Sequence, residues 1–221
     1  MKYLILFSII ILAFSCTLPP DLDPKPQISF KNVAFRDTDT QELIILDLSF
    51  QDGDGNLGLG KGDTTFPYNE RNIIQDRLGN VISYSETRNV DTLPEYNSID
   101  WQIKRSSGVI TDTILAPINT NHNNIFVDFY VYDGNGNREE FDFRKELGVA
   151  GYDGRFPILF DDNNPDKALE GDLRYSMPSS VWSLLFSLDT LELEVQIQDR
   201  ALNKSNIVST GKFTLQGKKV N

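Results

Sequence analysis

The sequence predicts an all-β protein, an antiparallel β-sandwich of one or two units with at most a short helix. Three observations lead to this prediction. Apolar and polar residues alternate over many short segments, which is the pattern of half-buried strands. Gly, Pro, Asn and Asp cluster between these segments, as they do in tight turns. One pattern, an alternating run closed by Asp-x-x-x-Asn, occurs at Leu46–Gly58, at Ile125–Asn137 and at Leu191–Asn203.

Composition and charge limit the classes of protein to which this chain can belong. The chain has 221 residues, of which 39% are apolar and 11% aromatic, and this is enough to bury a core. Its 32 acidic and 21 basic residues give a net charge of -11. A surface this acidic repels phosphate backbones and anionic headgroups. We therefore expect neither nucleic-acid binding nor electrostatic docking on a membrane.

Residues 1–15 have the features of a secretory signal peptide. The apolar run from Tyr3 to Phe14 follows Lys2 and is shorter than the roughly 20 residues of a spanning helix. It ends in Ala13-Phe14-Ser15-Cys16, which resembles the lipobox of bacterial lipoproteins, with Ala in place of the usual Leu. Cys16 is the only cysteine, which excludes an intramolecular disulfide. The alternative is a signal peptide with an incidental cysteine, or an uncleaved anchor.

The lipobox resemblance implies that Cys16 carries acyl chains such as palmitate and becomes the N-terminus, so that lipid holds the protein on a membrane. Thr17 stands where inner-membrane retention commonly uses Asp, and the resemblance therefore implies the outer membrane. Residues 16–27 contain four prolines and are expected to form an extended tether of roughly 20 to 30 Å. Asp21 and Asp23 resemble the export signals of surface lipoproteins, which slightly favours the cell surface over the periplasmic face.

The globular part begins at Ile28, and alternation places its strands. We expect them near 28–35, 42–50, 99–104, 109–115, 125–132, 141–143 and 169–177, with a final hairpin over 191–215. Apolar residues on both faces of 125–132 indicate a central strand or one covered by a neighbour. Residues 56–100 form a long irregular excursion with a hairpin at Gly79-Asn80. One short helix is predicted by Val181, Leu184, Leu185 and Leu188, which recur at helical spacing.

A boundary is expected over 146–153, where the strand pattern breaks. It separates a β domain at 28–146 from a smaller β unit at 147–221, which is small for a sandwich of its own and leaves shared sheets open. The hairpins resemble the last strands of bacterial immunoglobulin-like and fibronectin-like domains, which an Asp-x-x-x-Asn turn often joins. The residues that match are Asp133 and Asn137 in the second copy, and Asp199, Asn203 and Ser205 in the third. The resemblance implies an immunoglobulin-like sandwich and no particular activity.

The Asp-rich turns have two interpretations. Asp52, Asp54 and Asn56 match the start of a calcium loop, and Asp133, Asn135 and Asn137 offer a softer version of it. Leu57 replaces the usual Gly at the sixth position, and Asp63 replaces Glu at the twelfth. Either Ca²⁺ binds, or each Asp caps its own turn, which is the simpler interpretation of a truncated motif. The same alternatives apply to Asp161, Asp162, Asn163, Asn164 and Asp166.

No motif with a catalytic mechanism is present. His122 is the single histidine and lies in a polar run, and Cys16 is assigned to lipid, so no triad or zinc site can be completed. Accidental pairs among 32 acidic residues carry no information about glycoside hydrolysis. We therefore expect a protein that is not an enzyme.

Two functions remain. The first is a lipoprotein whose sandwich docks on an outer-membrane barrel or on a multi-subunit envelope complex, and the second is a module that binds a cell-surface glycan or polymer. Either would use aromatic residues of the irregular excursion, namely Phe66, Tyr68, Tyr84 and Tyr96. Docking is mildly favoured, because no aromatics repeat at strand spacing to form a sugar platform.

Overall fold

The computed structural model describes residues 22–85, 93, 96–159 and 167–220, and over these residues the chain is all-β. The strands are β1 (Gln27–Asp37), β2 (Glu42–Asp52), β3 (Trp101–Ser106), β4 (Val109–Leu115), β5 (Ile125–Tyr132), β6 (Arg138–Glu140), β7 (Leu169–Ser179), β8 (Thr190–Ile197), β9 (Val208–Ser209) and β10 (Lys219–Val220). The short helices are α1 (Phe143–Leu147) and α2 (Trp182–Phe186), and 3₁₀ turns lie at Thr120–His122 and Gln216–Lys218.

The strands form two four-stranded sheets and one separate hairpin. The first sheet has the order β10-β1-β2-β7, and the second has the order β6-β5-β8-β9. Neighbours within the sheets are antiparallel, except that β10 runs parallel to β1. The hairpin of β3 and β4 lies outside both sheets. Antiparallel strands that alternate in burial were predicted from the same alternation in the sequence, and this prediction is confirmed.

One hydrophobic core contains side chains of both sheets. Its members include Val33, Phe35, Leu46 and Leu48 from the first sheet, and Val127, Phe129, Leu193 and Val195 from the second. Trp182 of α2 is fully buried in the same core, where its ring stacks on Phe129 with centroids 5.4 Å apart. Burial of this apolar surface away from water is what holds the two sheets together.

Strands that are distant in the sequence are neighbours in each sheet. β7 pairs with β2 over eleven residues, from Glu42–Ser179 to Asp52–Leu169. β8 pairs with β5, from Ile125–Ile197 to Tyr132–Thr190. The segment 146–153 therefore separates parts of the chain that share both sheets.

The two ends of this assembly differ. β1 begins where β2 ends, with Gln27 opposite Gln51, and the backbone N–H of Gly53 donates to the carbonyl of Asp23 at 2.9 Å. We call this the tether end, and β8 ends and β5 begins there as well. At the far end, the N–H of Ser183 in α2 donates to Glu42 at the start of β2.

The structure corrects the expected strand at 141–143. β6 ends at Glu140, and Phe143 begins α1 instead. The carboxylate of Asp142 accepts from the N–H groups of Arg144 and Lys145, and Gly148 closes the helix in the left-handed conformation. Asp and Gly are the residues that start and stop helices, and here they override the alternation of Phe141 and Phe143.

The short helix forms as predicted, but with a different buried face. Trp182 and Phe186 point into the core, whereas Leu184 and Leu188 are 81% and 96% exposed. Two aromatic rings four residues apart bury more surface than the leucines do, and they decide which face turns inward.

The outer face of β5 is covered by side chains rather than by another layer. The Arg138 guanidinium lies over Tyr130 at 3.5 Å from the ring centroid, and the Lys212 ammonium lies over Tyr132 at 3.6 Å. These cation–π contacts come from chain segments beside β5 and shield apolar ring faces from water.

Some expectations fall outside the described residues. The signal peptide at 1–15, Cys16, Thr17 and Asp21 are among them, and so is the acidic segment 161–166. Within the part of the chain that is described, no helix is long and apolar enough to cross a membrane.

Candidate functional site

Three Asp-x-x-x-Asn turns share one hydrogen-bond pattern. The carboxylates of Asp76, Asp133 and Asp199 each accept from the backbone N–H of the Asn four residues later, at 2.8 Å in every case. The Asn side-chain amide donates to the second carboxylate oxygen at 2.8 to 3.0 Å. In these turns the Asp caps its own loop, as turn chemistry predicts.

The turn at Asp52 departs from this pattern. The N–H of Asn56 donates to Oδ2 of Asp52 at 2.9 Å, but the Asn56 amide donates to Asp54 at 2.8 Å instead. Oδ1 of Asp52 and Oδ1 of Asp54 are both buried and have no hydrogen-bond partner among the described residues. Buried polar atoms without a partner are rare, because they have lost water without gaining a bond.

Asp199 lies beside these two residues. One carboxylate oxygen from each of Asp52, Asp54 and Asp199 lies within 4.8 Å of the others, and we call this group the carboxylate cluster. Asp52 is 0% exposed and Asp199 is 2% exposed. The end of β2 and the end of β8 position them, so the cluster joins the two sheets at the tether end.

Burial sets the electrostatics of the cluster. Loss of water, together with the neighbouring carboxylates of Asp54 and Asp199, raises the pKa of Asp52 to about 7. Burial also raises the pKa of Asp199, although hydrogen bonds from Asn203 oppose that effect. Within the described residues, no Lys or Arg forms an ion pair with any member of the cluster.

The nearest arginine has another partner. The N–H of Arg200 donates to the Asn56 carbonyl at 3.3 Å, which ties the two turns together, while its guanidinium binds Asp63 at 2.6 Å. The hydroxyl of Tyr68 donates to the carbonyl of Arg200. Asp63 stands at the twelfth position of the calcium-loop pattern, but it forms an ion pair with Arg200 and is not a member of the cluster.

The donor set determines what the cluster can bind. It offers carboxylate oxygens and no nitrogen or sulfur ligand, which suits a hard divalent cation such as Ca²⁺. The structure brings Asp52 and Asp54 together and places Asn56 as a support through its hydrogen bonds. It places Asp133, Asn135 and Asn137 in an exposed turn in which Asp133 accepts bonds from both Asn residues.

Sequence reasoning did not assign Asp199 to a site. It identified this residue as the Asp of a third turn but gave it no ligand role. The signal was available in the repeated pattern, because Asp52 and Asp199 are both the Asp of an Asp-x-x-x-Asn motif that closes an alternating run. What was missing was the knowledge that these two strands end side by side.

Of the four aromatic residues of the predicted binding surface, the structure brings Tyr84 and Tyr96 together. Both pack on Trp101, with centroid distances of 5.8 and 6.3 Å, and we call these three the aromatic cluster. Trp101 is buried, whereas Tyr84 and Tyr96 are 58% and 59% exposed. Phe66 is 90% exposed, and Tyr68 is half-buried against Arg200.

Further apolar side chains are exposed on the hairpin of β3 and β4. Ile103 of β3 and Val109 and Ile110 of β4 are each more than half exposed. The described residues between β2 and β5, which we call the insertion, therefore present several large apolar groups to solvent.

His122 is held by the backbone and by an arginine. Its Nδ1 lies 2.9 Å from the carbonyl oxygen of Tyr68 and 3.1 Å from Nη1 of Arg155. It lines a cleft of about 270 Å³ together with Glu70, Arg144 and Asp153. Among the described residues, the hydrogen-bond partners of the His122 ring are the Tyr68 carbonyl and Arg155, and neither is a hydroxyl or thiol nucleophile. The absence of an enzymatic activity stays a prediction.

Comparisons of the chain with protein-family models, with curated proteins and with solved structures gave no match.

Proposed function

We propose that this chain is a non-catalytic envelope lipoprotein, anchored by lipid on Cys16, whose immunoglobulin-like sandwich docks on a partner in the outer membrane. The partner is an integral barrel or a membrane-bound envelope complex. The anchor rests on the lipobox-like Ala13–Cys16 segment and the proline-rich tether, with the cell surface as the favoured side. The docking surface rests on the position of the insertion.

The strand order supports the immunoglobulin-like assignment. In such domains strands A, B and E share one sheet, and strands C, F and G share the other. Here β1, β2 and β7 are neighbours in one sheet, while β5, β8 and β9 are neighbours in the other, in the same chain order. β6 then corresponds to the additional strand beside C, and β10 is an extra edge strand. The short length of β9 and β10 departs from a regular sandwich.

The observation that carries the docking proposal is where the insertion lies. It leaves the sandwich after β2 and returns before β5, which is the connection between strands B and C. In antibody domains this connection and the F–G turn form the binding end. The same end receives the tether, since Gly53 is bonded to Asp23. A surface at the anchored end is suited to a partner that lies in the membrane.

The chemistry of the insertion supports protein docking. Binding energy at protein interfaces concentrates in aromatic anchors surrounded by polar groups. Phe66 and Tyr96 are exposed aromatic groups of the insertion, and the Arg71 and Arg144 guanidiniums bind the Ile99 carbonyl and the Asp100 carboxylate, just before Trp101. Exposed aromatic rings of this size are suited to serve as anchors for a protein partner.

The test is a pull-down of the tagged full chain from detergent-solubilised outer membranes, without crosslinking, followed by mass spectrometry. We expect one integral outer-membrane protein or complex in stoichiometric amount. The double variant Phe66→Ser/Tyr96→Ser should lose it, because both anchors become small and polar. Leu188→Ser is the matched control, since this residue is 96% exposed but lies after α2 at the far end.

Two results would count against docking. One is recovery of the lipoprotein without a stoichiometric membrane partner. The other is equal recovery of that partner with the double variant and the wild type, which would show that the insertion is not the interface. Loss of the partner with Leu188→Ser alone would move the interface to the far end.

Glycan binding is the second candidate, and one observation favours it. Tyr96 stacks on Trp101 with an interplanar angle of 28°, which fixes an exposed ring that a sugar could cover. Tyr84, however, is inclined at 75° to Tyr96, so these two rings form no flat platform for a chain of sugars. A glycan array with the full chain and with Tyr96→Ala would test this. Loss of polymer retention by that variant, with membrane complexes intact, would favour glycan binding.

A further inference from the structure

We infer that the carboxylate cluster of Asp52, Asp54 and Asp199 is a calcium site that fastens the two sheets to each other at the tether end. This inference is independent of the docking proposal. It adds a ligand from a distant strand to the local Asp52–Asn56 pattern. A calcium loop takes its ligands from one continuous segment, whereas this site takes them from the ends of two strands.

One oxygen of the buried Asp52 carboxylate has no hydrogen-bond partner. This side chain is 0% exposed, and its Oδ1 is unpartnered among the described residues, while one of its carboxylate oxygens lies within 4.8 Å of oxygens of Asp54 and Asp199. A buried carboxylate normally has its oxygens bonded, as Asp199 has through Asn203. The orphaned atom is therefore explained by a ligand at this point.

The turn at Asp52 differs from the other Asp-x-x-x-Asn turns. The side-chain amides of Asn80, Asn137 and Asn203 each donate a hydrogen bond to the Asp four residues earlier. The side-chain amide of Asn56 donates to Asp54 instead, so it orients Asp54 and leaves Oδ1 of Asp52 available. One sequence motif thus has two geometries, and the open geometry occurs only where a third carboxylate lies beside it within the described residues.

The negative charge of the cluster and the distances between its oxygens favour calcium as the ligand. Three carboxylates that lie within 4.8 Å of one another repel, and no described Lys or Arg forms an ion pair with them. Three oxygens within 4.8 Å of one another have a common centre at most about 2.8 Å from each, which is close to the roughly 2.3 to 2.6 Å that calcium prefers. Calcium also accepts irregular sets of oxygen ligands completed by water and carbonyl groups, whereas magnesium requires a near-ideal octahedron at about 2.1 Å.

The site would order the anchored end of the protein. Asp52 is the last residue of β2, Asp54 lies in the turn that follows, and Asp199 lies two residues after the end of β8. The N–H of Gly53, between the first two, donates to the carbonyl of Asp23 in the tether. A cation held by all three carboxylates therefore connects the first sheet, the second sheet and the emerging tether at one point.

The experiment is calcium binding by the purified full chain in detergent after treatment with EDTA. Calorimetry with CaCl₂ should give one site, with a dissociation constant of about 10⁻⁴ to 10⁻³ M, as in extracellular modules. Calcium at about 100 times that constant should raise Tm by at least about 5 °C. MgCl₂ should bind at least tenfold more weakly.

Variants locate the site. Asp52→Asn and Asp54→Asn should each weaken calcium binding at least tenfold, and both conserve side-chain volume. Asp133→Asn is the matched control, because it changes the same motif in an exposed turn and should leave binding unchanged. Circular dichroism of each variant confirms that it is folded. Asp199→Asn is the direct test of the bridging ligand and should behave like Asp52→Asn.

Several outcomes would overturn the inference. They are the absence of calcium binding by the wild type, wild-type affinity in Asp52→Asn, and an equal loss in Asp133→Asn. Wild-type affinity in folded Asp199→Asn would reduce the site to a local loop and remove the bridge. Magnesium binding as tight as that of calcium would overturn the assignment of the ion.

Discussion

The two tryptophans show how the hydrogen bonding of the indole N–H changes what a buried ring contributes to stability. Trp182 and Trp101 are 0% and 3% exposed, so each contributes a comparable buried ring. Nε1 of Trp182 donates to the Met177 carbonyl at 3.0 Å, whereas Nε1 of Trp101 has no partner among the described residues. A satisfied donor stabilises the fold, and an unsatisfied one subtracts from the gain of burial.

This difference predicts the cost of removing each indole. Trp182→Phe should destabilise the protein by about 2 to 3 kcal/mol, because it leaves a cavity and an unpaired carbonyl. Trp101→Phe should cost about 1 to 2 kcal/mol less, since it also removes a buried N–H without a bond. Urea unfolding followed by far-ultraviolet circular dichroism measures both. Equal costs, or a larger cost at Trp101, would contradict the argument.

At the level of single residues, sequence reasoning succeeded where burial follows alternation and failed where it depends on a distant neighbour. Leu46 and Leu48 alternate with polar residues in the strand predicted near 42–50, and they are buried as this pattern predicts. Leu184 and Leu188 have equally good helical spacing but are exposed. The buried face is set by Phe129, which α2 meets only in the folded protein.

At the level of elements, two irregular segments are held together at Gly58. The N–H of Leu59 donates to the carbonyl of Phe156, and the N–H of Leu159 donates to the carbonyl of Leu57. Gly58 between them has φ of 99°, and a Cβ there would lie 2.2 Å from the Pro157 carbonyl oxygen. Both the conformation and the close approach require glycine.

Gly58→Ala should therefore destabilise the protein by more than about 2 kcal/mol, since the backbone must move to relieve the contact as well as bear the positive φ. Gly136→Ala is the control. Its φ is 84°, but nothing lies within 4 Å of the added carbon, so the cost should be only about 1 kcal/mol. Thermal unfolding of both variants decides this, and a smaller effect at Gly58 would contradict it.

The pairing of β2 with β7 carries a cross-strand ion pair. Asp47 and Arg174 are direct partners in the register, and Nε of Arg174 lies 2.7 Å from Oδ1 of Asp47. The hydrogen bond from Arg174 lowers the pKa of Asp47 below its usual value. The guanidinium is largely exposed, so the pair is expected to contribute only about 0.5 kcal/mol.

The sign of the pH dependence follows from the lowered pKa. The contribution is fully present above the unfolded pKa of about 3.9 and is lost as the pH falls through the folded value. Asp47→Asn should thus cost about 0.5 kcal/mol at pH 7 and almost nothing near pH 3. A double-mutant cycle with Arg174→Met at both pH values isolates the pair. A coupling energy that does not change with pH would contradict this explanation.

Elements were predicted well where one local signal dominates. The bounds of β4 agree with alternation, and the hairpin at Gly79-Asn80 forms with Asp76 as its cap. The strand expected at 141–143 was wrong because the capping preference of Asp142 outweighs two alternating phenylalanines. Two members of the carboxylate cluster could be predicted, because Asp52 and Asp54 belong to one short motif. Asp199 could not, because it is distant in the sequence and approaches them only in the fold.

At the level of the whole molecule, both halves of the chain build one core. β2 has β7 as a neighbour, β5 has β8, and Met177, Trp182 and Leu193 fill the space between the sheets. A fragment of residues 22–146 would expose the edges of both sheets and lose a large part of the buried surface.

We therefore expect that fragment to be unfolded on its own, and the whole chain to unfold in a single cooperative transition. Dispersion of amide resonances in a ¹H–¹⁵N spectrum and near-ultraviolet circular dichroism test the fragment. Calorimetry tests the whole chain. A well-dispersed spectrum from residues 22–146 would mean that the first part is an independent domain.

The register of β1 has a mechanical consequence. The strand is 11 residues long, and the tether enters it at Gln27, directly opposite the end of β2. A force that pulls the tether away from the far end of the sheet acts along the strand axis, at right angles to the hydrogen bonds of β1 with β2. Those bonds are then loaded in shear and share the force. A force that pulls the tether away from the neighbouring end of β2 would instead open the same bonds one at a time, so β1 resists a load best when the opposing force acts at the far end.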